Sequence, residues 1–336
     1  MILVTGGTGL IGAHLLYELA QKHERLRAAI RPTSDIDQVR KVFGYYSNNA
    51  EADILFEKIE WVQADINNIP ALEEAFRGVE YVYHCAALIS FDPSDEKKLR
   101  KINIEGTANI VNLCISNKIK KLCYVSSVAA IGSEVNAKEV TETAKWNPEG
   151  DHNDYAISKY GAEIEVWRGT QEGLDAVIVN PGIIIGPGFW DSGSGKIFKR
   201  IDKVLKYHFP KVSGFVGVND VVRSMIQLMN STIKNENYIL ISENLSFENV
   251  LKNTAEYLNK PAPSKQLKKW MITLGWIFQK IGSWFGAKRE ITRASIKGLY
   301  AETFYSNAKI KNDLNFQFTP VNEVLKETAA IYLKDH

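Results

Sequence analysis

Thr5-Gly6-Gly7-Thr8-Gly9-Leu10-Ile11-Gly12 follows an apolar run, Ile2 to Thr5, and opens a second in which Leu15, Leu16 and Leu19 recur at helical spacing. Strand, glycine-rich turn and helix in that order make a phosphate cradle. Gly6 permits the tight turn, Gly9 lets the backbone approach a pyrophosphate, and Gly12 lets the helix lie close on the strand. The start of the helix then offers free N–H groups and the positive end of its dipole. A dinucleotide is the ligand this placement predicts.

Six apolar, β-rich runs are spaced along the first half of the chain: Ile2 to Thr5, Leu26 to Ile30, Ile59 to Ala64, Tyr81 to Cys85, Lys121 to Ser126 and Ala176 to Asn180. Helical stretches lie between them, and that alternation predicts an α/β protein with a doubly wound parallel sheet, the Rossmann architecture. Pro70 suits the first turn of a helix ending before Gly78, because proline has no N–H to lose there. After Pro181 the pattern changes to glycine-rich loops, short strands and several helices. The chain has 336 residues, and single cores seldom grow beyond about 250–300 residues. Residues 1–180 are therefore expected to form the NAD(P)-binding domain, and residues 181–336 a smaller, interleaved, mainly helical substrate-binding region. Gly214 to Val218 and Tyr238 to Ile241 read as strands, so residues 213–242 are expected to return to the main sheet.

An acidic residue about 20 residues beyond the glycine loop usually holds the adenosine ribose of NAD. Arg31 stands at that place here, and a guanidinium can pair bidentately with a 2′-phosphate. NADP is the expected cofactor; NAD stays open, with Asp35 or Asp37 turned towards the ribose. Asp65, with Ile66 beside it, follows the third strand where the adenine edge would lie. Ala86 and Ala87 follow the fourth strand beneath the cofactor, with packing as their alternative role.

Tyr155-Ala156-Ile157-Ser158-Lys159 lies in a helical stretch, so the i, i+4 spacing puts phenol and ammonium on one face. A free tyrosine titrates near about 10, and a neighbouring cation favours its phenolate. Lys159 is expected to supply that charge. Ser126 and Ser127 end the fifth strand, at the edge where open α/β sheets bind ligands. One hydroxyl is expected to bond the substrate oxygen while Tyr155 gives or takes the proton. The alternation of side chains along a strand favours Ser127.

Gly6-x-x-Gly9-x-x-Gly12, Ser127 and Tyr155-x-x-x-Lys159 in this order resemble the extended short-chain dehydrogenase/reductase superfamily and its NAD-dependent epimerase/dehydratase family, over nearly the whole chain. Arg31, the run Tyr83-His84-Cys85-Ala86-Ala87-Leu88-Ile89-Ser90-Phe91, and Asn180-Pro181-Gly182-x-x-x-Gly186-Pro187 look most like the dihydroflavonol reductase and hydroxysteroid dehydrogenase branch. Val218 to Val222 and Thr319 to Glu323 look like segments of the same branch. The resemblance implies Ser127 as the substrate-orienting hydroxyl, Tyr155 as acid and base, and Lys159 as the binder of the nicotinamide ribose, with Asn103 supporting the lysine. It implies cofactor contacts at Gly6, Thr8, Gly9, Leu10, Ile11 and Gly12, and at Pro181, Gly182 and Ile183 beside the nicotinamide carboxamide. Cys85 departs from the small or amide residue more usual there. A homodimer through the helices bearing Asn103 and Tyr155 is a further implication.

A formal charge of +2 gives no broad basic field for a phosphate backbone, so nucleic-acid binding has no support. Cys85, Cys114 and Cys123 are odd in number and form no CxxC pair, so neither a disulfide framework nor a zinc site is suggested. The histidines fall at no metal-ligand spacing, and no metal is expected; for His84 and His152 a structural role is the stronger reading. Because Met1 to Val4 already read as strand, no leader is expected and residence is read as cytoplasmic. Trp270 to Phe278, the longest mainly apolar run, is shorter than the roughly 20 residues a bilayer requires. Residues 260–300 carry nine basic residues against Glu290 alone, mixed with Trp270, Trp276, Phe278, Trp284 and Phe285. This mixture is read as pocket wall or packing, with peripheral membrane contact as the alternative. The function expected is reversible hydride transfer between NADPH and a carbonyl on a fairly apolar substrate, giving a secondary alcohol. A nucleotide-sugar epimerase that retains its nicotinamide, and a non-catalytic NADP sensor, are the alternatives. A dehydratase would carry an acidic pair beside a threonine where Ser127, Val128 and Ala129 stand.

Overall fold

The computed structural model describes residues 1–132, 138–268, 270–272 and 298–336. The chain runs through β1 (Ile2–Thr5), α1 (Leu10–Ala20), β2 (Leu26–Ile30), α2 (Asp37–Tyr46), α3 (Asn49–Glu57), β3 (Ile59–Gln63), α4 (Ile69–Ala75) and β4 (Tyr81–His84). A short α5 (Glu96–Leu99) passes through a π-helical turn, Arg100–Glu105, into α6 (Gly106–Ser116). Then come β5 (Lys121–Val125), α7 (Asp154–Gln171), β6 (Ala176–Pro181) and β7 (Ile183–Ile185). The remainder holds α8 (Gly195–Asp202), β8 (Tyr207–His208), β9 (Val212–Gly217), α9 (Val218–Asn230), β10 (Glu236–Leu240), β11 (Glu243–Ser246), α10 (Phe247–Tyr257), β12 (Lys265–Gln266), α11 (Ala308–Leu314) and α12 (Val321–Asp335).

Seven strands form one parallel sheet in the order β10-β6-β5-β4-β1-β2-β3. Strands covered on both faces read as continuous apolar runs, and β5 and β6 are buried at every residue. Register sets the site: Thr5 lies beside Ala29 on one side and His84 on the other. The glycine loop, the turn at Arg31 and the residues after β4 consequently leave the sheet along the same edge.

Of the two segments expected to return to this sheet, β10 does so, pairing in parallel with β6. The other does not: β9 pairs with β7 and β11 in a separate three-stranded sheet, and Val218 begins α9. β10 takes the open side of β6, while β9 pairs with β7 and β11 just beyond the main sheet, where the backbones of Gly182 and Gly214 approach too closely for a side chain.

Packing divides into three cores. Leu15, Leu16, Phe43, Val222 and Met225 fill one face of the large sheet, and Leu72, Ile110, Val111, Ala162 and Val166 fill the other. Ile185, Phe198, Phe215, Leu251, Leu325 and Tyr332 make the third, beneath the small sheet. Full burial of each such side chain contributes about 1.5–3 kcal/mol. Helix starts are set locally: Asn68 caps α4 with Pro70 in its first turn, and the Asn153 side chain accepts from the Ala156 N–H at 2.8 Å. Such a cap contributes about 1 kcal/mol, and the second one fixes where Tyr155 enters α7. Most of the basic, aromatic segment 260–300 lies outside the described residues, including Trp276, Phe278, Trp284 and Phe285; Trp270 is exposed. Among the described residues no helix is long and apolar enough to cross a membrane.

Candidate functional site

The cradle is built from glycines that the protein needs for different reasons. Gly6 sits at φ +69°, and a Cβ there would lie 2.5 Å from the Ala86 nitrogen. At Gly12 it would lie 2.2 Å from the Gly6 oxygen, so α1 approaches the loop too closely for any side chain. Gly9 closes the turn through its N–H to the Gly6 oxygen at 3.0 Å. A Cβ on Gly9, however, meets the protein only at an ordinary 3.5 Å. Its glycine answers to whatever lies on the open side of the loop. Gly12→Ala is therefore expected to cost about 1–3 kcal/mol of stability. Gly9→Ala, a replacement at a helix cap, is expected to cost under about 1 kcal/mol yet to weaken dinucleotide binding by about tenfold or more, ~1.4 kcal/mol. Thermal unfolding and a fluorescence titration separate the two, and equal affinity in Gly9→Ala and wild type would contradict the assignment.

Gly6, Thr8, Gly9, Arg31, Asp65, Ile66, Ala86 and Ala87 line a single cleft along the sheet edge. Ser34, Asn67, Cys85, Leu88 and Ile102, none of them read from the sequence as cofactor contacts, line it too. Leu10 and Ile11 lie in the first turn of α1, partly buried. Asp65 accepts from the Asn67 N–H at 2.8 Å. The Arg31 and Ser34 backbones close a turn in which the Ser34 hydroxyl accepts from the Arg31 N–H at 3.0 Å. Asp35 is engaged elsewhere, accepting from the Gln38 N–H in the first turn of α2, and neither it nor Asp37 lines the cleft.

Beyond the cleft, the Ser127 hydroxyl accepts from the Ala129 N–H at 3.1 Å and stands beside the Tyr155 phenol. Ser126 points the other way and donates to Glu163 Oε2 at 2.6 Å, buried beneath α7. The two serines thus face opposite sides, as successive strand residues do. Pro181, Gly182 and Ile183 pass from β6 into β7, where the Gly182 N–H donates to the Leu240 oxygen at 3.1 Å. A side chain on Gly182 would meet the Gly214 oxygen at 2.4 Å, so this turn is held by backbone contact with β9.

Two expectations are corrected. Lys159 was expected to acidify the phenol, but its ammonium donates to the Tyr124 hydroxyl and the Val125 carbonyl, each at 2.8 Å. Burial pushes Tyr155 above its ordinary value, the Ser127 hydrogen bond opposing this, so the phenol keeps its proton at neutral pH. The Lys159 ammonium itself is pushed down to about 7 by burial, with Glu163 and Cys85 opposing. Asn103, implied as support for the lysine, reaches the Leu88 N–H (2.7 Å), the Leu88 carbonyl (3.0 Å) and the Ser158 hydroxyl (2.9 Å) instead. It ties the wall of the cleft to α7 between Tyr155 and Lys159.

Glu163 was missed. It accepts from Ser126, from Asn180 Nδ2 at 2.8 Å and from Trp167 at 3.3 Å, while Asn180 Nδ2 also lies 3.1 Å from the Ser127 carbonyl. Its signal was available: Tyr155, Lys159 and Glu163 recur every four residues on one helical face. His84 is fully buried between Thr5 and Thr107, and His152 stacks on Trp146 at 3.7 Å. Among the described residues no cluster of three His, Cys, Asp or Glu side chains could hold a metal.

A model of the NAD-dependent epimerase/dehydratase family matches residues 2–240. A Synechocystis sp. protein named as a dihydroflavonol 4-reductase is 27% identical over 342 residues, spanning 99% of this chain and 94% of its own length. Tetraketide α-pyrone reductase 2 of Arabidopsis thaliana is 30% identical over 241 residues, 68% of this chain and 73% of its own. The structure of UDP-glucose 4-epimerase from Thermotoga maritima, with UDP-glucose, superposes with a TM-score of 0.76 at 21% identity over 99% of both chains. At that identity the likeness speaks for the fold alone.

Proposed function

Because the chain belongs to the NAD-dependent epimerase/dehydratase family, we propose that it uses NADPH to reduce the carbonyl of a fairly apolar substrate to a secondary alcohol. One observation carries the reading: the Tyr155 phenol, raised by burial and with Ser127 beside it, stands on α7, which Asn103 ties through Ser158 to Leu88 in the wall of the glycine cleft. Reduction needs an acid at the carbonyl oxygen, whereas oxidation of an alcohol needs a base. The cleft suits a dinucleotide, since Gly9 leaves its open side free while Gly6 and Gly12 are fixed by backbone contact. Bound there, the nicotinamide would supply the hydride. Ser127 orients the carbonyl oxygen, Tyr155 gives that oxygen its proton, and the phenolate recovers a proton from solvent. Below its midpoint Lys159, one turn along α7 from Tyr155, supplies a positive charge against the negative charge that develops. Phe91, 55% exposed, stands edge-on to Tyr155 at 5.6 Å, and Ile89 is 61% exposed in the same loop. An uncovered Phe91 beside the phenol, with an uncovered Ile89 two residues before it, favours an apolar substrate.

Arg31, exposed at the adenosine end of the cleft, supports NADP. A charge-assisted bond of this kind contributes about 1.5–3 kcal/mol. Arg31→Ala is accordingly expected to raise the KM for NADPH about tenfold and to leave that for NADH unchanged; equal changes for both would remove the 2′-phosphate contact.

The second reading is a nucleotide-sugar epimerase, favoured by the match to the NAD-dependent epimerase/dehydratase family model. Absorbance of the reduced nicotinamide separates the two. Ketones and aldehydes with apolar substituents are expected to draw down NADPH in proportion to the alcohol formed. Interconversion of UDP-sugars without net consumption would overturn the reductase reading.

A further inference from the structure

Beneath the site, β1, β4, β5 and α6 each contribute one polar side chain to a buried file: Thr5, His84, Tyr124 and Thr107, none more than 1% exposed. Lys159, equally buried, stands at its head. Its ammonium donates to the Tyr124 oxygen at 2.8 Å, and Thr107 stands beside the Tyr124 phenol. The Thr107 hydroxyl lies 3.0 Å from His84 Nε2, and His84 Nδ1 lies 2.6 Å from the Thr5 hydroxyl. The His84 and Tyr124 rings stack at 5.4 Å, so each fixes the other's orientation. Buried polar groups on four separate elements are costly unless fully paired, yet the proton transfer to substrate uses none of these four.

The proton positions follow from one end. An ammonium can only donate, so the Tyr124 oxygen accepts from Lys159, which leaves its own O–H free to turn towards Thr107 beside it. Thr107 then donates to His84 Nε2, and His84 Nδ1–H donates to Thr5. This order requires a neutral imidazole, and burial holds His84 down at about 3, with the Lys159 charge acting in the same direction. We propose that Tyr124, Thr107, His84 and Thr5 are positioning residues, an oriented hydrogen-bond chain that presents an acceptor to Lys159, keeps the buried ammonium charged, and ties it to the strand bearing the glycine loop. The chain acts for the catalytic role given to Lys159 above and rests on that reading.

Other groups face this ammonium. Glu163 approaches from the next turn of α7, Cys85 follows β4, and the Val125 carbonyl comes from β5; Tyr155, one turn before Lys159, acts on Tyr124. Burial raises the Glu163 carboxyl, which is already engaged by Ser126, Asn180 and Trp167, and pushes the Cys85 thiol up to about 12. Tyr124 is the side chain in hydrogen-bond contact.

Lysine Nζ resonances of nitrogen-15-labelled protein, with Lys159 assigned through Lys159→Met, report its titration without substrate. Tyr124→Phe keeps the ring and the stack on His84 but removes the acceptor. It is expected to lower the Lys159 midpoint by about one pH unit. Thr107→Val should lower it less, and Thr107→Ser should restore the wild-type midpoint. The alkaline fall of kcat/KM for carbonyl reduction should move with it, so that Tyr124→Phe loses about tenfold in rate above the midpoint and little below it. A wild-type midpoint in Tyr124→Phe overturns the chain. Its failure is distinguishable from failure of the reductase reading: an active Lys159→Met enzyme would remove the lysine's catalytic role, whatever the midpoint shows.

Discussion

Tyr155→Phe is expected to lower kcat/KM for carbonyl reduction by about 10³-fold, within the range that a positioned proton donor contributes, while NADPH affinity changes by less than about twofold. The ring remains, so its edge-on packing against Phe91 is kept. The phenolic O–H alone is lost. Ser127 still accepts from the Ala129 N–H, so the cost in stability should stay within about 1 kcal/mol. Steady-state rates and a fluorescence titration check both halves; wild-type rates in Tyr155→Phe would take this side chain out of the chemistry.

Lys159→Met should lower kcat/KM by about 10²-fold or more, because a buried charge close to a developing alkoxide is not replaced by solvent. It should also change how stability depends on pH. Burial lowers Lys159 to about 7 in the folded protein, against about 10.4 in an unfolded chain. Below the folded value both states hold the proton, and the full cost of burying the charge is present. Between the two values the unfolded chain holds more protons, so wild-type stability rises with pH, by up to about 1.4 kcal/mol per pH unit. Lys159→Met lacks that rise. Urea titrations at pH 7 and 9 are expected to show wild type gaining on the variant, and parallel stabilities across that interval would mean that Lys159 titrates normally.

Much of the fold could be read from residues because the strands of a parallel sheet are covered on both faces and leave uninterrupted apolar runs, as in β5 and β6. The glycine loop was legible for a related reason, since backbone approach at Gly6 and Gly12 admits no side chain. The fate of β9 was not, because which of two short apolar runs pairs with β6 is a tertiary fact with no local signature. The same division holds at the site. Helical spacing brings Tyr155 and Lys159 to one face, but the partners of Lys159 come from Tyr124 and Val125 on a different element. Proximity in sequence suggested a phenol acidified by the lysine; burial, which acts in three dimensions, raises it instead. Asn103 shows the same limit, as its amide meets Leu88 and Ser158 through a bend of the chain that spacing does not disclose.

NADPH carrying deuterium at the transferable position of its nicotinamide, mixed with the enzyme and an apolar ketone, follows the hydride itself. The alcohol should carry the deuterium on its carbinol carbon in the wild-type product, with Tyr155→Phe forming about 10³-fold less of it in the same time. Product without the label, or label retained on the nicotinamide while substrate is converted, would contradict hydride delivery at this site.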